Sequence, residues 1–201
     1  MFYDTALNNH GLPYNPFKAL VVPRPIGWIS SISKSGVVNL APYSFFNACA
    51  GNPPCVMFGI EPGASARIKD SLRNVEETGE FVANLVTYDL RDAMNVTATH
   101  AEVDEMELAG LEKEPSQMVK PPRVAAAPAH LECKYLQTVA MPKPARGEAG
   151  QVVFGQVVGI HIRDEVIVDG IVDYRKIRPI ARLGYKDYTV VDEVFSIERP
   201  D

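Results

Sequence analysis

Short apolar runs rich in valine and isoleucine recur along the first half of the chain: Ala19 to Val22, Ile26 to Ile32, Val37 to Ala41, Val56 to Ile60 and Phe81 to Val86. Glycine, proline and asparagine divide them, so they read as strands of an antiparallel sheet. Ser33, Lys34, Ser35 and Gly36 form a turn-forming tetrad that closes a hairpin between two of these runs. The first strand of that hairpin alternates. Ile26, Trp28, Ser30 and Ile32 share one face, and Gly27, Ile29, Ser31 and Ser33 the other. Helical spacing is found at Ile68, Leu72 and Val75, with Asp70 placed to cap and Gly79 to end the helix. A weaker stripe follows at Leu90, Ala93, Met94 and Val96, behind Thr87.

The second half repeats the pattern after an interruption. Residues 101 to 129 are acidic and then proline-rich, which predicts a short helical turn and a long surface excursion. Strands are expected at His130 to Ala140 and Gln151 to Arg163, around a loop rich in proline and glycine from Pro142 to Gly150. Ile180 to Leu183, Tyr188 to Val191 and Val194 to Ile197 complete the set. About ten strands in consecutive hairpins with a few short helices predict a mainly β fold, an antiparallel barrel with helices packed outside it. Strands and helices do not alternate regularly and no Gly-x-Gly-x-x-Gly loop follows a strand, which disfavours a Rossmann-type sheet. Residues 1 to 16 carry Asn8, Asn9, Gly11, Pro13 and Pro16 and read as an irregular N-terminal arm, with residues 17 to 201 as a single domain.

Composition narrows the function classes. The chain has 201 residues, 46% hydrophobic and 22% charged, with a net charge of -5. That balance suits one folded domain and argues against a nucleic-acid reader or a protein held on anionic lipid. The longest apolar runs fall far short of the roughly 20 residues of a bilayer span, and Met-Phe-Tyr-Asp lacks a basic leader, so a cytoplasmic protein is expected. Cys49, Cys55 and Cys133 are odd in number and read as free thiols. The histidines His10, His100, His130 and His161 are widely separated and lack ligand spacing, so no metal site is expected. No Gly-x-Ser-x-Gly elbow supports a hydrolase.

The stretch from Val22 to Asn47 is the candidate site. It sets Ser30 and Ser31 beside a returning strand that ends in Pro42, followed by Tyr43, Ser44, Phe45, Phe46 and Asn47. A proline there is expected to break the ladder and free the N–H groups of Tyr43 to Asn47 for a planar, polar-edged ligand. Lys69 precedes a helix start at Asp70 and Ser71, where free N–H groups favour a phosphate.

Several ordered segments, "RPIGWISSIS", "NLAPYSFFNACAGNPPCVMF", "KDSLRNVEETGEFVANLV", "VKPPRVAAAPAHLECK" and "RPIARLG", resemble the flavin reductase-like proteins with the FMN-binding split barrel, in the branch near flavoredoxins and flavin-supplying reductase components. The resemblance implies a split barrel, a homodimer, and one FMN per subunit near the dimer interface. By the same resemblance the strand from Arg24 to Ser31 contacts flavin, with Ser30 and Ser31 offering hydroxyls. Trp28 either packs beside the ring or fills the barrel. Ala41, Pro42, Tyr43, Ser44, Phe45 and Asn47 match the segment that meets the pyrimidine edge of the isoalloxazine. Lys69 and Ser71 match the phosphate-binding pattern, with serine where threonine is usual, and Arg24 is a second phosphate candidate. His161 is either a residue that positions nicotinamide or a satisfied histidine of the sheet. Arg182, Gly184 and Tyr188 match a C-terminal motif that borders the partner's flavin, and Pro142 to Gly150 reads as a gate or a plain loop. The implied activity is hydride transfer from NADH or NADPH to FMN, with electrons passed to oxygen, to free flavin, or to a partner oxygenase or redox protein. The alternatives are a flavoredoxin-like electron carrier without its own NAD(P)H activity, and a barrel that has lost flavin and serves as a scaffold.

Overall fold

A computed structural model describes residues 1–62, 70–99, 101, 103–145 and 147–200. Lys69 and Ile68, both singled out above, lie outside the described residues, as does His100. In chain order, helix α1 (Phe17–Leu20) leads to strand β1 (Arg24–Pro25) and a hairpin of β2 (Gly27–Ile32) and β3 (Val38–Tyr43). β4 (Phe46–Gly51) and β5 (Pro54–Ile60) form the next hairpin, before helix α2 (Asp70–Thr78) and β6 (Glu80–Leu85). The excursion holds α3 (Arg91–Val96), α4 (Glu105–Leu108), β7 (Lys113–Glu114) and β8 (Arg123–Val124). β9 (Ala129–Ala140) and β10 (Gln151–Ile162) are the longest strands. The chain then forms β11 (Ile167–Val168), β12 (Ile171–Val172), α5 (Tyr174–Ile177), β13 (Ile180–Arg182) and β14 (Tyr188–Val190).

Seven strands make one antiparallel sheet in the order β3-β2-β6-β9-β10-β5-β4. Its two edge strands are consecutive in sequence, joined only by Ser44 and Phe45, and the Gly59 N–H donates to the Phe45 carbonyl at 2.6 Å. The edges therefore meet and the sheet closes into a barrel, which removes most of the unpaired edge. Bulges between Phe154 and Gly155 and between Val157 and Gly159 bend the β9–β10 ribbon around this curve. At the first bulge a Cβ on Gly155 would stand 2.4 Å from the Phe81 ring, so only glycine lets that ring fill the interior.

The two faces of the sheet carry two cores. Ile29, Tyr43, Val56, Phe58, Ile60, Phe81 and Cys133 fill the barrel, which Leu72 and Val75 of α2 close. Gly79 (φ 75°) ends α2 and accepts the Tyr135 N–H, tying the helix to β9. Ile26, Trp28, Leu40, Val86, Met94, Met106 and Val124 form the outer core beneath the excursion. Polar side chains on that outer face latch the excursion down. Trp28 Nε1 donates to Thr97 Oγ1 (2.8 Å), Asn84 Oδ1 accepts the Val124 N–H (2.9 Å), and His130 Nε2 is bonded to the Val124 carbonyl (2.9 Å).

His130 is 3% exposed and its Nδ1 has no partner among the described residues. Burial pushes its pKa below the ordinary histidine value; the charges of Arg123 and His161 add to this and the bond to Val124 opposes it. A histidine whose folded pKa is depressed contributes stability above its unfolded pKa of about 6.5, and that contribution is lost as pH falls through the folded value. We expect the urea midpoint to fall between pH 7 and pH 5, and His130→Gln, which keeps a donor toward Val124, to flatten that fall. Equal slopes for the two proteins would show that His130 is not the group responsible.

Three stretches depart from the sequence expectation. Ala19 to Val22 is no strand: Pro16 starts the short helix α1, and Leu20, Val21 and Val22 are exposed without a sheet neighbour. Val194 to Ile197 forms no strand either, because β13 is already paired with β14 on one side and β1 on the other. Phe46–Gly51, which is marked by none of the apolar runs, is an edge strand. No described helix is long and apolar enough to cross a membrane, and no cluster of three or more metal-ligating side chains occurs among the described residues.

Candidate functional site

The site is built around the joint between the two sheet edges. β3 pairs with β2 from Val38↔Ile32 to Tyr43↔Gly27 without a break. The Leu40 N–H points away from β2 and donates to Glu105 Oε2 at 2.9 Å. Backbone direction alternates along a strand, so Pro42, two residues on, also faces outward, where the ladder requires no N–H. The expected break at Pro42 therefore does not occur, and the Tyr43 and Asn47 positions lie inside paired strands. Ser44 and Phe45 alone stand between β3 and β4, half-buried, and their N–H groups have no hydrogen-bond partner among the described residues. Among the described residues, Ser44 and Phe45 are the part of the expected run that lies outside the strands.

Two phenylalanines pin this turn, one on each side of the barrel wall. Phe46 packs on the barrel core over Gly27, where a Cβ would come within 2.5 Å of its ring. Phe45 lies over Gly59, where a Cβ would be 2.9 Å from Phe45 Cβ. Lys18 Nζ and the Arg24 guanidinium carbon stand 5.5 and 5.8 Å from the Phe45 ring centroid, within cation–π range. Lys18 Nζ is also paired with Glu61 Oε2 at 2.5 Å, so a carboxylate offsets part of this positive charge.

Tyr43 connects the turn to the start of α2. Its ring is in the barrel core, 5.1 Å from that of Phe58, and its hydroxyl is hydrogen-bonded to Ser71. Burial pushes the Tyr43 pKa up to about 12; the charges of Glu105 and Asp70 add to the rise and the Ser71 bond opposes it. The phenol is therefore neutral at physiological pH. Ser71 Oγ also accepts from Asn39 Nδ2 at 2.8 Å. One turn further along α2, Asn74 Nδ2 donates to Ser31 Oγ at 3.2 Å, while Asn74 Oδ1 is buried without a partner among the described residues. Asn39, Tyr43, Ser71, Asn74 and Ser31 form a buried polar strip from the turn to the first turn of α2. The leading N–H groups of such a helix have no intrahelical acceptor.

Glu105 closes the β3 edge beyond this strip. Burial raises its pKa, the bond from the Leu40 N–H opposes that, and the charges of Asp104 and Asp70 add to it.

The remaining residues marked in the sequence fall elsewhere. Arg24 is 6% exposed and donates to the carbonyls of Lys18 (2.5 Å), Val21 (2.6 Å) and Leu183 (2.9 Å), so it clamps α1 and β13 and is not free to hold a phosphate. Trp28 and Ser30 are fully buried on the outer face; Ser30 Oγ donates to the Pro122 carbonyl at 2.5 Å, and neither side chain is open to a ligand. Ser31 is equally buried, on the opposite face against α2. Ala41 and Pro42 are half-buried in β3. Asn47 is exposed and its Oδ1 accepts the Ala48 N–H at 2.9 Å.

His161 is not beside the turn. His161, His130, Asn84, Trp28 and Pro42 form one register row across five strands, with His161 at its far end from β3. His161 Nε2 lies 2.5 Å from Oε1 of the wholly buried Glu132, which also accepts the N–H groups of Gln117, Met118 and Val119. It is a satisfied histidine of the sheet that holds the excursion. Arg182 stacks on Tyr188, 4.4 Å from its centroid, and donates to the Tyr185 carbonyl. The Pro142 to Gly150 stretch begins just past the Met141 N–H bond to the Gly150 carbonyl, at the end of the β9–β10 ribbon.

Sequence reasoning missed Tyr43 as a hydrogen-bonding bridge, Asn39 and Asn74 as its partners, and Gly59 as the seat of Phe45. Asn39 carried a signal, as an amide among the apolar residues of an otherwise regular strand, whereas Asn74, between Arg73 and Val75 in a mostly polar helix, carried none. Gly59 carried one too, as a glycine inside the apolar run Val56 to Ile60.

Known proteins share this fold. The crystal structure of nitrilotriacetate monooxygenase component B from Bacillus cereus superposes with a TM-score of 0.88 at 30% identity, covering 98% of this chain and 99% of that one. The 2-nitrobenzoate 2-nitroreductase of Pseudomonas fluorescens superposes with a TM-score of 0.84 at 26% identity, covering 100% and 96%. Flavoredoxin of Desulfovibrio vulgaris shares the fold, with a TM-score of 0.75 at 16% identity over 88% of this chain and 91% of that one. An uncharacterized protein of Aquifex aeolicus is 40% identical over 178 residues, 87% of this chain and 88% of its own. Residues 19–180 match the flavin reductase like domain across the whole barrel and the turn that closes it. The chain belongs to the flavin reductase-like family.

Proposed function

We propose that the protein binds FMN between the Ser44–Phe45 turn and the N-terminal end of α2, and that it passes a hydride from NADH or NADPH to that flavin for delivery to an acceptor. The observation that carries this reading is the pair of unpartnered amides at Ser44 and Phe45, joined through Tyr43 and Ser71 to a helix start.

The residues fit such a group at both ends. A turn that presents two adjacent N–H groups suits the carbonyl and nitrogen edge of an isoalloxazine, and a helix N-terminus suits a phosphate. Asn74 Oδ1, without a partner among the described residues, is a buried acceptor of the same strip. Bound FMN would supply the two-electron chemistry; the chain supplies binding, orientation and electrostatics. Ser44 and Phe45 fix the ring edge by donation. Arg24, beside Phe45, favours negative charge developing nearby, while Lys18 is paired with Glu61. Lys69, by its sequence position, holds the phosphate, and Ser71, buried and bonded to Asn39 and Tyr43, fixes the helix start that receives it. Tyr43 keeps its proton and sets the spacing between the two ends. Arg182 and Tyr188, the Pro142 to Gly150 stretch and the homodimer expected from the sequence belong to the same proposal. Its oxygenase partner is supported by the relative named as a monooxygenase component.

A flavin titration tests the reading. The purified protein is expected to bind FMN stoichiometrically, with quenched flavin fluorescence, and anaerobic NADH or NADPH is expected to bleach the flavin band. A protein that neither binds added FMN nor reduces it with either nicotinamide defeats the proposal. Bleaching only by a protein reductant would identify an electron carrier. Ser71→Ala removes the hydroxyl shared by Asn39 and Tyr43; FMN affinity is expected to drop about tenfold, equivalent to about 1.4 kcal/mol. An unchanged dissociation constant would remove Ser71 from the site.

A further inference from the structure

β4 and β5 carry two cysteines that the flavin reading does not use. Their register runs Ala48↔Val56, then Ala50↔Cys55, leaving Cys49 as the extra residue of a bulge opposite Cys55. Val56 and Phe58 point into the barrel, so Cys55, between Val56 and Pro54, points outward. The bulge carries Cys49 to the same outer side, where it is exposed and Cys55 is half-buried. Ala50 is the residue that faces Cys55, at the Cα separation of about 4.5–5.5 Å usual for such a pair, and Cys49 adjoins it as the second residue opposite Cys55, which brings the two thiol-bearing residues toward the Cα range of about 4.4–6.8 Å that a disulfide spans. The third thiol, Cys133, is buried in the barrel.

We propose that Cys49 and Cys55 are a redox-active dithiol that closes to an intrachain disulfide on reaction with a hydroperoxide. The Cys49 thiolate attacks one peroxide oxygen; an S–O bond forms, the O–O bond breaks, and the departing hydroxide takes up the thiol proton as water. The Cys55 thiolate then attacks the Cys49 sulfur; the S–S bond forms, the S–O bond breaks, and a second water leaves with the Cys55 proton. Two thiols lose two electrons and one hydrogen peroxide becomes two waters. The disulfide ties the turn at Asn52 and Pro53 shut and stiffens the edge strand that begins at the Ser44–Phe45 joint. Burial, with the charge of Cys55 adding and a bond within its own residue opposing, raises the Cys49 pKa. The reaction therefore speeds up as pH rises above neutral, since the thiolate is the nucleophile. A dithiol reductant reverses it.

The experiment needs no flavin, so its outcome is separate from that of the FMN titration. The folded protein is treated with a stoichiometric amount of hydrogen peroxide at pH 7 and pH 9, quenched with an alkylating agent, digested and mass-mapped. The expected product has lost two hydrogens, links the Cys49 and Cys55 peptides, leaves Cys133 reduced, forms faster at pH 9 and returns to three thiols with dithiothreitol. Cys55→Ser is expected to stop at a sulfenic or sulfinic acid on Cys49, and Cys49→Ser to keep Cys55 reduced at the same dose. Retention of three alkylated thiols in the wild-type protein, a link between two chains, or over-oxidation of Cys49 with Cys55 still free overturns the proposal.

Discussion

Glu132→Ala is expected to lower folding stability by about 3–5 kcal/mol, the cost of removing one partner from a buried charged network. Glu132 is 0% exposed, and its two oxygens accept from three consecutive backbone N–H groups and from His161. Alanine leaves the N–H groups of Gln117, Met118 and Val119 without acceptors. Burial by itself raises the Glu132 pKa, but the bonds from the Gln117 N–H, His161 and the Met118 N–H outweigh it and the net direction is downward. A carboxylate held below its unfolded value contributes stability above about pH 4.5 and loses it as pH falls through the folded value. The deficit of the alanine variant is therefore widest at neutral pH and narrows in acid. Glu132→Gln keeps the shape but turns an NH2 group toward a donor, and is expected to lose about 2 kcal/mol. Urea denaturation of the three proteins at pH 7 and pH 4 measures all of this. An alanine variant within 1 kcal/mol of wild type would mean that the excursion is not anchored through Glu132.

The same network shows what the sequence made legible. The alternation over residues 26–33 separated Trp28 and Ser30 from Ile29 and Ser31, and the two cores lie on those two faces. It did not reveal which face the excursion would cover. Hydroxyls at Ser30 and Ser31 look equally available in a strand, yet one meets the Pro122 carbonyl and the other Asn74. Both partners are distant in sequence, so no local rule assigns them. Pro42 misled for a related reason. A proline breaks a ladder only where its N–H would face a neighbouring strand, and the parity that turns Leu40 and Pro42 outward follows from the register with β2, the outward Leu40 N–H being received by Glu105, 65 residues away. β4 was hidden by its own composition, because Asn47, Ala48, Ala50 and Gly51 have low strand propensity and pair only because β5 is there to receive them. The flavin family, by contrast, was legible in ordered motifs that span most of the chain, and the match over residues 19–180 agrees with them.

Gly59→Ala is expected to weaken FMN binding by about 30-fold, equivalent to about 2 kcal/mol, while leaving a cooperative thermal transition. The argument is geometric. The new methyl group would stand 2.9 Å from Phe45 Cβ, an atom fixed to the backbone that no side-chain rotation can move aside. Because the Gly59 N–H also donates to the Phe45 carbonyl, the turn must shift away from β5 as a unit or lose that bond. Either way the Ser44 and Phe45 amides leave their positions, and the ring of Phe45 leaves its place between Lys18 and Arg24. Gly27→Ala acts on the other phenylalanine and gives a different signature. Its Cβ would come within 2.5 Å of the Phe46 ring in the barrel core, so stability is expected to fall by about 1–3 kcal/mol along with affinity. Fluorescence titration with FMN, beside thermal denaturation of the same samples, separates the two effects. If Gly59→Ala binds FMN as tightly as the wild-type protein does, the turn is not where the flavin edge is held, and the ligand must be sought at another part of the barrel.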